Sequence, residues 1–336
     1  MKVAVVGASG YAGAELVEIL TKHNEVTEIN LLVSEGSSSE NKLFSQLYPR
    51  MQGVCDLVLH SFTQSWLENN QTEIDAVFFA TPHEYSQQWA NAFIEAGIKV
   101  FDLSGAFRLN NLSDYPKYYG FEHNYPKLLE QAVYGLAEYN QQDIKNTNIV
   151  AVPGCYPTAS LLSLKPITQL NLQQDDGLIV VNGISGVSGA GRKASLATSF
   201  NELSLKAYNI LQHRHQPEIS QECGQQVIFN PHIAPFKRGL LVTVTLNLKA
   251  SVTSADVDAA YNQAYKNTPL VRISATWPQI DDVAGTPFAN VHWQYDETKN
   301  VLVVSCAIDN LLKGAASQAV QCFNLVHGFE NLQGLQ

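Results

Sequence analysis

A two-domain α/β fold is predicted by three features of the chain. Its 336 residues exceed by far the ~150 that one domain usually takes. Through the first half, near-continuous apolar runs alternate with helical ones, as in a parallel sheet built by right-handed crossovers. Beyond residue 155 the strands mix apolar and polar positions, as in a sheet with one solvated face. The expected boundary falls near residue 150.

The elements follow in order. Strands are expected at Lys2–Val6, Ile29–Val33, Ala76–Ala80, Lys99–Leu103 and Ile149–Val152, with helices at Ala12–Lys22 and Tyr85–Ala96. In the second half, Leu178–Asn182, Gln226–Phe229 and Leu240–Leu248 read as strands. Ser254–Lys266 reads as a helix capped by Ser254, with Asp256 in its first turn. Asn290–Tyr295 and Val301–Ile308 read as an antiparallel pair, and Ala315–Val326 as a final helix.

Composition narrows the class. A hydrophobic fraction of 45% supplies cores, and a formal net charge of −10 argues against nucleic acid or an acidic membrane as the main partner. No run approaches the ~18 apolar residues of a membrane span, and Gly7 arrives too early for a secretory signal. The five cysteines, odd in number and dispersed, fit thiols in a reducing cytoplasm and offer no zinc framework. No metal site is expected.

Gly7-Ala8-Ser9-Gly10-Tyr11-Ala12-Gly13 follows the first strand and runs into the first helix. Such a loop turns at its first glycine, admits a pyrophosphate at its second and lets helix pack on strand at its third. Phosphate would rest on the helix N-terminus. An NAD site usually ends its second strand with an acid; here Ser34 takes that place, in Ser34-Glu35-Gly36-Ser37-Ser38-Ser39. Serines such as Ser34 and Ser37 suit a 2′-phosphate, so NADP(H) is the expected cofactor. Lys42 would add positive charge.

The chemistry centres on Val152-Pro153-Gly154-Cys155-Tyr156-Pro157-Thr158. Pro157 and Thr158 open a helical run, Ala159–Leu164, which sets Cys155 just before a helix N-terminus. There free N–H groups and the macrodipole stabilise a thiolate. His213-Arg214-His215-Gln216-Pro217-Glu218 supplies imidazoles for acid–base work. Sequence leaves open which one faces Cys155; His213 is preferred and His215 is second, with Glu218 available to orient one of them. Arginines provide anion clamps: Arg108 after a strand end, Arg192 in the small-residue run Ser185–Lys193 that also holds Ser188 and Gly189, and Arg238 before Gly239.

With these residues in hand, the chain resembles the N-acetyl-γ-glutamyl-phosphate reductases, relatives of the aspartate-semialdehyde dehydrogenases. The matching motifs are GASGYAG (7–13), DLSGAFRL (102–109), VYGLAE (133–138), PGCYPT (153–158), SGVSGAGRK (185–193), HRHQPEI (213–219) and KGAASQAVQ (313–321), with a further PH..P..RG at 231–239.

The resemblance implies a Rossmann-like NADP-binding domain, 1–150, with 312–336 returning to it, and a mixed-sheet α+β catalytic and dimerisation domain, 151–311. It implies a cytoplasmic homodimer or homotetramer acting on a small acyl phosphate. Cys155 would be the nucleophile and His213 or His215 the acid–base group. Gly7, Ser9, Gly10, Tyr11, Ala12, Gly13, Ser34, Ser37, Ser188, Gly189 and Asn310 would face the cofactor. Arg108, Ser185, Arg192, Glu218 and Arg238 would face the substrate. Two departures stand out: Val152 where many relatives carry Asn, and Gly105-Ala106 where Ala-Asp is more usual. The alternatives are an aspartate-semialdehyde dehydrogenase and a non-catalytic dinucleotide sensor.

Overall fold

The computed structural model describes residues 1–336, the side chain of Ala197 excepted. The chain divides into two compact units, Met1–Pro153 with Ala315–Gln336, and Gly154–Gly314. Among the described residues no helix is long and apolar enough to cross a membrane.

The first unit carries β1 (Lys2–Val6), β2 (Glu28–Ser34), β3 (His60–Phe62), β4 (Ala76–Phe79), β5 (Lys99–Asp102), β6 (Val133–Tyr134) and β7 (Ile149–Ala151). They pair in the order β3-β2-β1-β4-β5-β7-β6, every pair parallel. The strands foreseen from apolar runs are all present within a residue of their expected ends. The cause is physical: strands buried on both faces carry apolar side chains at consecutive positions, and β4, Ala-Val-Phe-Phe, is buried throughout.

Neighbouring phenylalanines of β4 serve opposite faces, as a two-residue period requires. Phe79 meets Phe93 of a helix, His83–Glu95, at 5.4 Å between ring centroids. Phe78 meets Phe323 at 5.6 Å, within the C-terminal helix Ser317–His327. That helix is fixed further by His23 Nε2, 2.8 Å from Asn324 Oδ1. A turn of π-helix, Leu312–Ala316, precedes it, so regular α-helix begins two residues later than expected.

The second unit carries β8 (Ile179–Ser185), β9 (Lys206–Ala207), β10 (Val227–Ile233), β11 (Leu240–Asn247), β12 (Val271–Ile273), β13 (Ala289–Asp296) and β14 (Val301–Ile308). The order is β12-β13-β14-β11-β8-β10-β9, with β8 parallel to β10 and antiparallel to β11. Strict alternation of buried and half-buried residues along β11 marks one packed and one open face. The helix Ser254–Tyr265 starts one residue beyond its true cap. Thr253, not Ser254, accepts from the Asp256 N–H, and the Asp256 carboxylate accepts from the Thr253 N–H in return.

The packed face of this sheet holds α1, Cys155–Thr168, buried from Tyr156 to Ile167. Its hydroxyls are satisfied internally. Thr158 Oγ1 donates to Gly154 O at 3.0 Å, Ser160 Oγ to Tyr156 O at 2.7 Å and Ser163 Oγ to Ala159 O at 2.9 Å. Gly183 of β8 admits the Tyr156 ring: a Cβ there would lie 2.5 Å from it. A second helix, α2 (His215–Cys223), packs on α1 and was not foreseen.

Candidate active site

In the first unit the loop after β1 is shaped by its glycines. Gly7 takes φ +90°, and a Cβ on it would come within 2.3 Å of Ala80 O. A Cβ on Gly13 would sit 2.2 Å from Gly7 O, so only glycine lets the helix Tyr11–Leu20 pack this closely on the turn. Gly10 is the N-cap and offers no side chain to its helix. Its carbonyl accepts the first helical bond, from Ala14 N at 2.9 Å, so the N–H groups of Tyr11, Ala12 and Gly13 point out of the helix end. Tyr48 Oη donates to the carbonyls of Ser9 (2.9 Å) and Gly10 (3.1 Å) and holds the loop. Ser34 ends β2 exposed, and Ser37 Oγ accepts from Ser39 N at 3.2 Å. A glycine cradle backed by a helix start fits a dinucleotide pyrophosphate.

Arg108 is buried in the same unit. Its Nε donates to Val152 O at 2.8 Å and one terminal nitrogen to Leu103 O at 2.7 Å. The guanidinium thus braces the ends of β5 and β7, instead of being a bare clamp. Val152 takes part through its carbonyl. Gly105 also has a reason: a Cβ there would lie 2.2 Å from the Tyr119 ring, while its N–H donates to His83 Nδ1 at 2.7 Å.

In the second unit Cys155 is the first residue of α1, not the residue before it, because Gly154 adopts the extended N-cap conformation. The thiol carbon lies at a helix N-terminus whose cap has no side chain and whose first turn, Cys155–Thr158, contains no acid. This is a setting that stabilises a thiolate.

Both histidines stand on the neighbouring α2 side. Their rings pack edge-on at 4.7 Å, and each centroid is 6.0 Å from the Tyr156 ring. His213 Nδ1 accepts from the His215 N–H at 3.1 Å. Burial, then the Arg214 charge, pushes the His213 pKa down to about 4. His215 heads α2, and Glu218, one turn on, is fully buried with Oε1 accepting from Gly154 N at 2.9 Å. Glu218 therefore holds backbone.

Of the remaining assigned residues, Asn310 and Ser188 are joined by a hydrogen bond. Asn310 Oδ1 accepts from Gly239 N at 2.7 Å, and its Nδ2 meets Ser188 Oγ at 2.9 Å. A Cβ on Gly189 would lie 3.7 Å from both Asn310 Nδ2 and Ser185 Oγ. Arg238 pairs with the buried carboxylate of Asp309. Arg192 is exposed on the loop after β8.

Sequence reasoning missed Gly314 and Tyr208. A Cβ on Gly314 would come within 2.7 Å of the Cys155 Cβ, so glycine is needed where chain passes the thiol. Its place in the Lys313-Gly314-Ala315 motif was the available signal. Tyr208 packs on His213 at 5.5 Å and shares a hydrogen bond with Tyr156; burial pushes its pKa up, and the Cys155 charge adds to the shift. No motif around it marks it out. Among the described residues no cluster of His, Cys, Asp and Glu is arranged to hold a metal.

Comparisons with known proteins bear on family and fold. Residues 2–147 match the family described as semialdehyde dehydrogenase, NAD binding domain, and residues 155–310 match semialdehyde dehydrogenase, dimerisation domain. The N-acetyl-gamma-glutamyl-phosphate reductase of Tolumonas auensis is 51% identical, over 100% of this chain and 99% of its own. That of Pseudoalteromonas atlantica is 49% identical, over 100% and 98%. Among solved structures, aspartate semialdehyde dehydrogenase II of Vibrio cholerae superposes with a TM-score of 0.73 at 22% identity, covering 97% of this chain and 98% of that one. The Candida albicans enzyme crystallised with NADP gives 0.71 at 15%, with the same coverage. These structural likenesses establish the fold. The α/β architecture expected from sequence is borne out, and the full-length relatives place the chain in the N-acetyl-gamma-glutamyl-phosphate reductase family of the semialdehyde dehydrogenases.

Proposed function

We propose that this chain reduces N-acetyl-γ-glutamyl phosphate to N-acetylglutamate 5-semialdehyde, releasing phosphate, through a thioester on Cys155, as a step of arginine biosynthesis. The observation that carries the reading is Cys155 heading α1 while α2, packed against α1, begins at the buried His215, two residues after the buried His213.

Cys155 sulfur attacks the acyl carbon and the C–O bond to phosphate breaks. The thiol proton passes through an imidazole to the departing phosphate. His215 is the better candidate for that relay. His213 has its Nδ1 engaged by the His215 N–H and holds a proton poorly above pH 4. Arg192 and Arg238 supply cationic donors as negative charge moves onto the phosphate. Ser185 completes the substrate side, and Arg108 fixes the carbonyl of Val152, three residues ahead of the nucleophile.

Gly7–Gly13 would hold NADPH, with Ser34 and Ser37 at its 2′-phosphate, and the bound cofactor would supply the hydride. Ser188, Gly189 and Asn310 are the proposed groups on the nicotinamide side. The tetrahedral oxyanion then collapses, expelling the Cys155 thiolate and freeing the aldehyde.

The chain is also proposed to work in the cytoplasm, where its five cysteines stay thiols, and as a homodimer or homotetramer. Exposed Leu196, Phe200, Leu205 and Leu211 are apolar surface that a second copy would cover. The test is phosphate-dependent oxidation of two semialdehydes by the purified chain. Preference for N-acetylglutamate semialdehyde supports the reading; preference for aspartate semialdehyde overturns the substrate.

A further inference from the structure

We infer that Glu218 is a positioning residue that locks the nucleophile's helix to the helix of the acid–base imidazole. The inference rests on the thioester reading above and adds to it a residue that acts through the backbone ahead of Cys155.

Three observations converge. Glu218 is wholly buried, where a polar side chain needs a hydrogen-bond partner. Its Oε1 accepts, at 2.9 Å, from the N–H of Gly154, the N-cap of α1 and the residue before Cys155. It also stands three residues after His215 on α2, which puts the two side chains on one helix face. One carboxylate therefore fixes the backbone on which Cys155 sits and the helix on which His215 sits. Pro217 in the first turn lacks only an N–H that would have no helical partner there, and Gly224 stops α2 in a left-handed cap at φ +68°, so the helix ends are set by short-range sequence.

The expectation is a loss in turnover rather than in binding. A misplacement of about 1 Å in a reacting group costs roughly 100-fold in rate. In Glu218→Ala, which removes the acceptor, kcat should fall about 100-fold with KM little changed. In Glu218→Gln, whose amide oxygen accepts the same N–H, kcat should recover to within about ten-fold of the parent. The rate of Cys155 alkylation against pH, read by peptide mass, should shift in Glu218→Ala and return towards the parent profile in Glu218→Gln.

Equal loss of kcat in the two folded variants, or an unchanged kcat and alkylation profile in Glu218→Ala, would overturn the positioning role. If Glu218→Ala does not fold, Glu218→Gln alone decides: a folded protein with kcat down about 100-fold contradicts the role. Failure of the underlying reading looks different: Cys155→Ala would then retain turnover whatever Glu218 does.

Discussion

The two units use their close-packed glycines for different ends. In the nucleotide-binding unit, a Cβ on Gly13 would strike backbone, Gly7 O at 2.2 Å and Ala8 Cα at 2.9 Å. In the cysteine-bearing unit, a Cβ on Gly314 would strike the Cβ of Cys155, the proposed nucleophile, at 2.7 Å. The first glycine secures a fold element, the second a reactive one. A motif glycine thus has to be read by what its missing side chain would meet.

That comparison breaks or sharpens under substitution. Gly13→Ala has nowhere to relax, because both clashing groups are main chain; a destabilisation of about 3 kcal/mol with weakened NADPH binding is expected. Urea unfolding and dinucleotide titration check it, and an intact protein of parental affinity would erase the distinction. Gly314→Ala should cost less stability, about 1 kcal/mol, but lower kcat about 100-fold by displacing Cys155. The ratio of the two effects is the informative quantity: Gly13 should act mainly on folding and binding, Gly314 mainly on turnover.

A smaller effect concerns pH. Burial holds His213 in one unit and His327 in the other at about 4, assisted by Arg214 and Lys99 respectively. Each imidazole's unfolded value lies near 6.5. Between the two values the unfolded chain binds more protons, so stability rises with pH across that window and is lost as pH falls through it. The slope is at most about 1.4 kcal/mol per pH unit from each imidazole. Unfolding free energies from pH 4.5 to 7 should show this, and His213→Asn should remove one share of the slope.

The units also differ in what could be read before folding. Parallel strands buried on both faces announce themselves as apolar runs, and Lys2–Val6 was located to the residue. The turn ahead of Cys155 was visible because Gly and Pro punctuate it. Helix α2 was not, because His215–Cys223 offers no apolar stripe; only Ile219 is an aliphatic residue there. Its signals were local: Pro217, the acid Glu218 in the first turn, and Gly224 after the end. Missing the helix hid the contact from Glu218 to Gly154. Arg108, Arg238 and Asn310 were singled out from the sequence, but partners such as the Val152 carbonyl, Asp309, and Gly239 with Ser188 are long-range and left no mark in the local sequence.

The most direct trial of Cys155 as nucleophile is to mix the chain with N-acetyl-γ-glutamyl phosphate while withholding NADPH. The account predicts a burst of one phosphate per active chain and an N-acetylglutamyl group on the peptide containing Cys155, both absent in Cys155→Ala. Acylation at another residue, or a Cys155→Ala protein that still turns over, would contradict it.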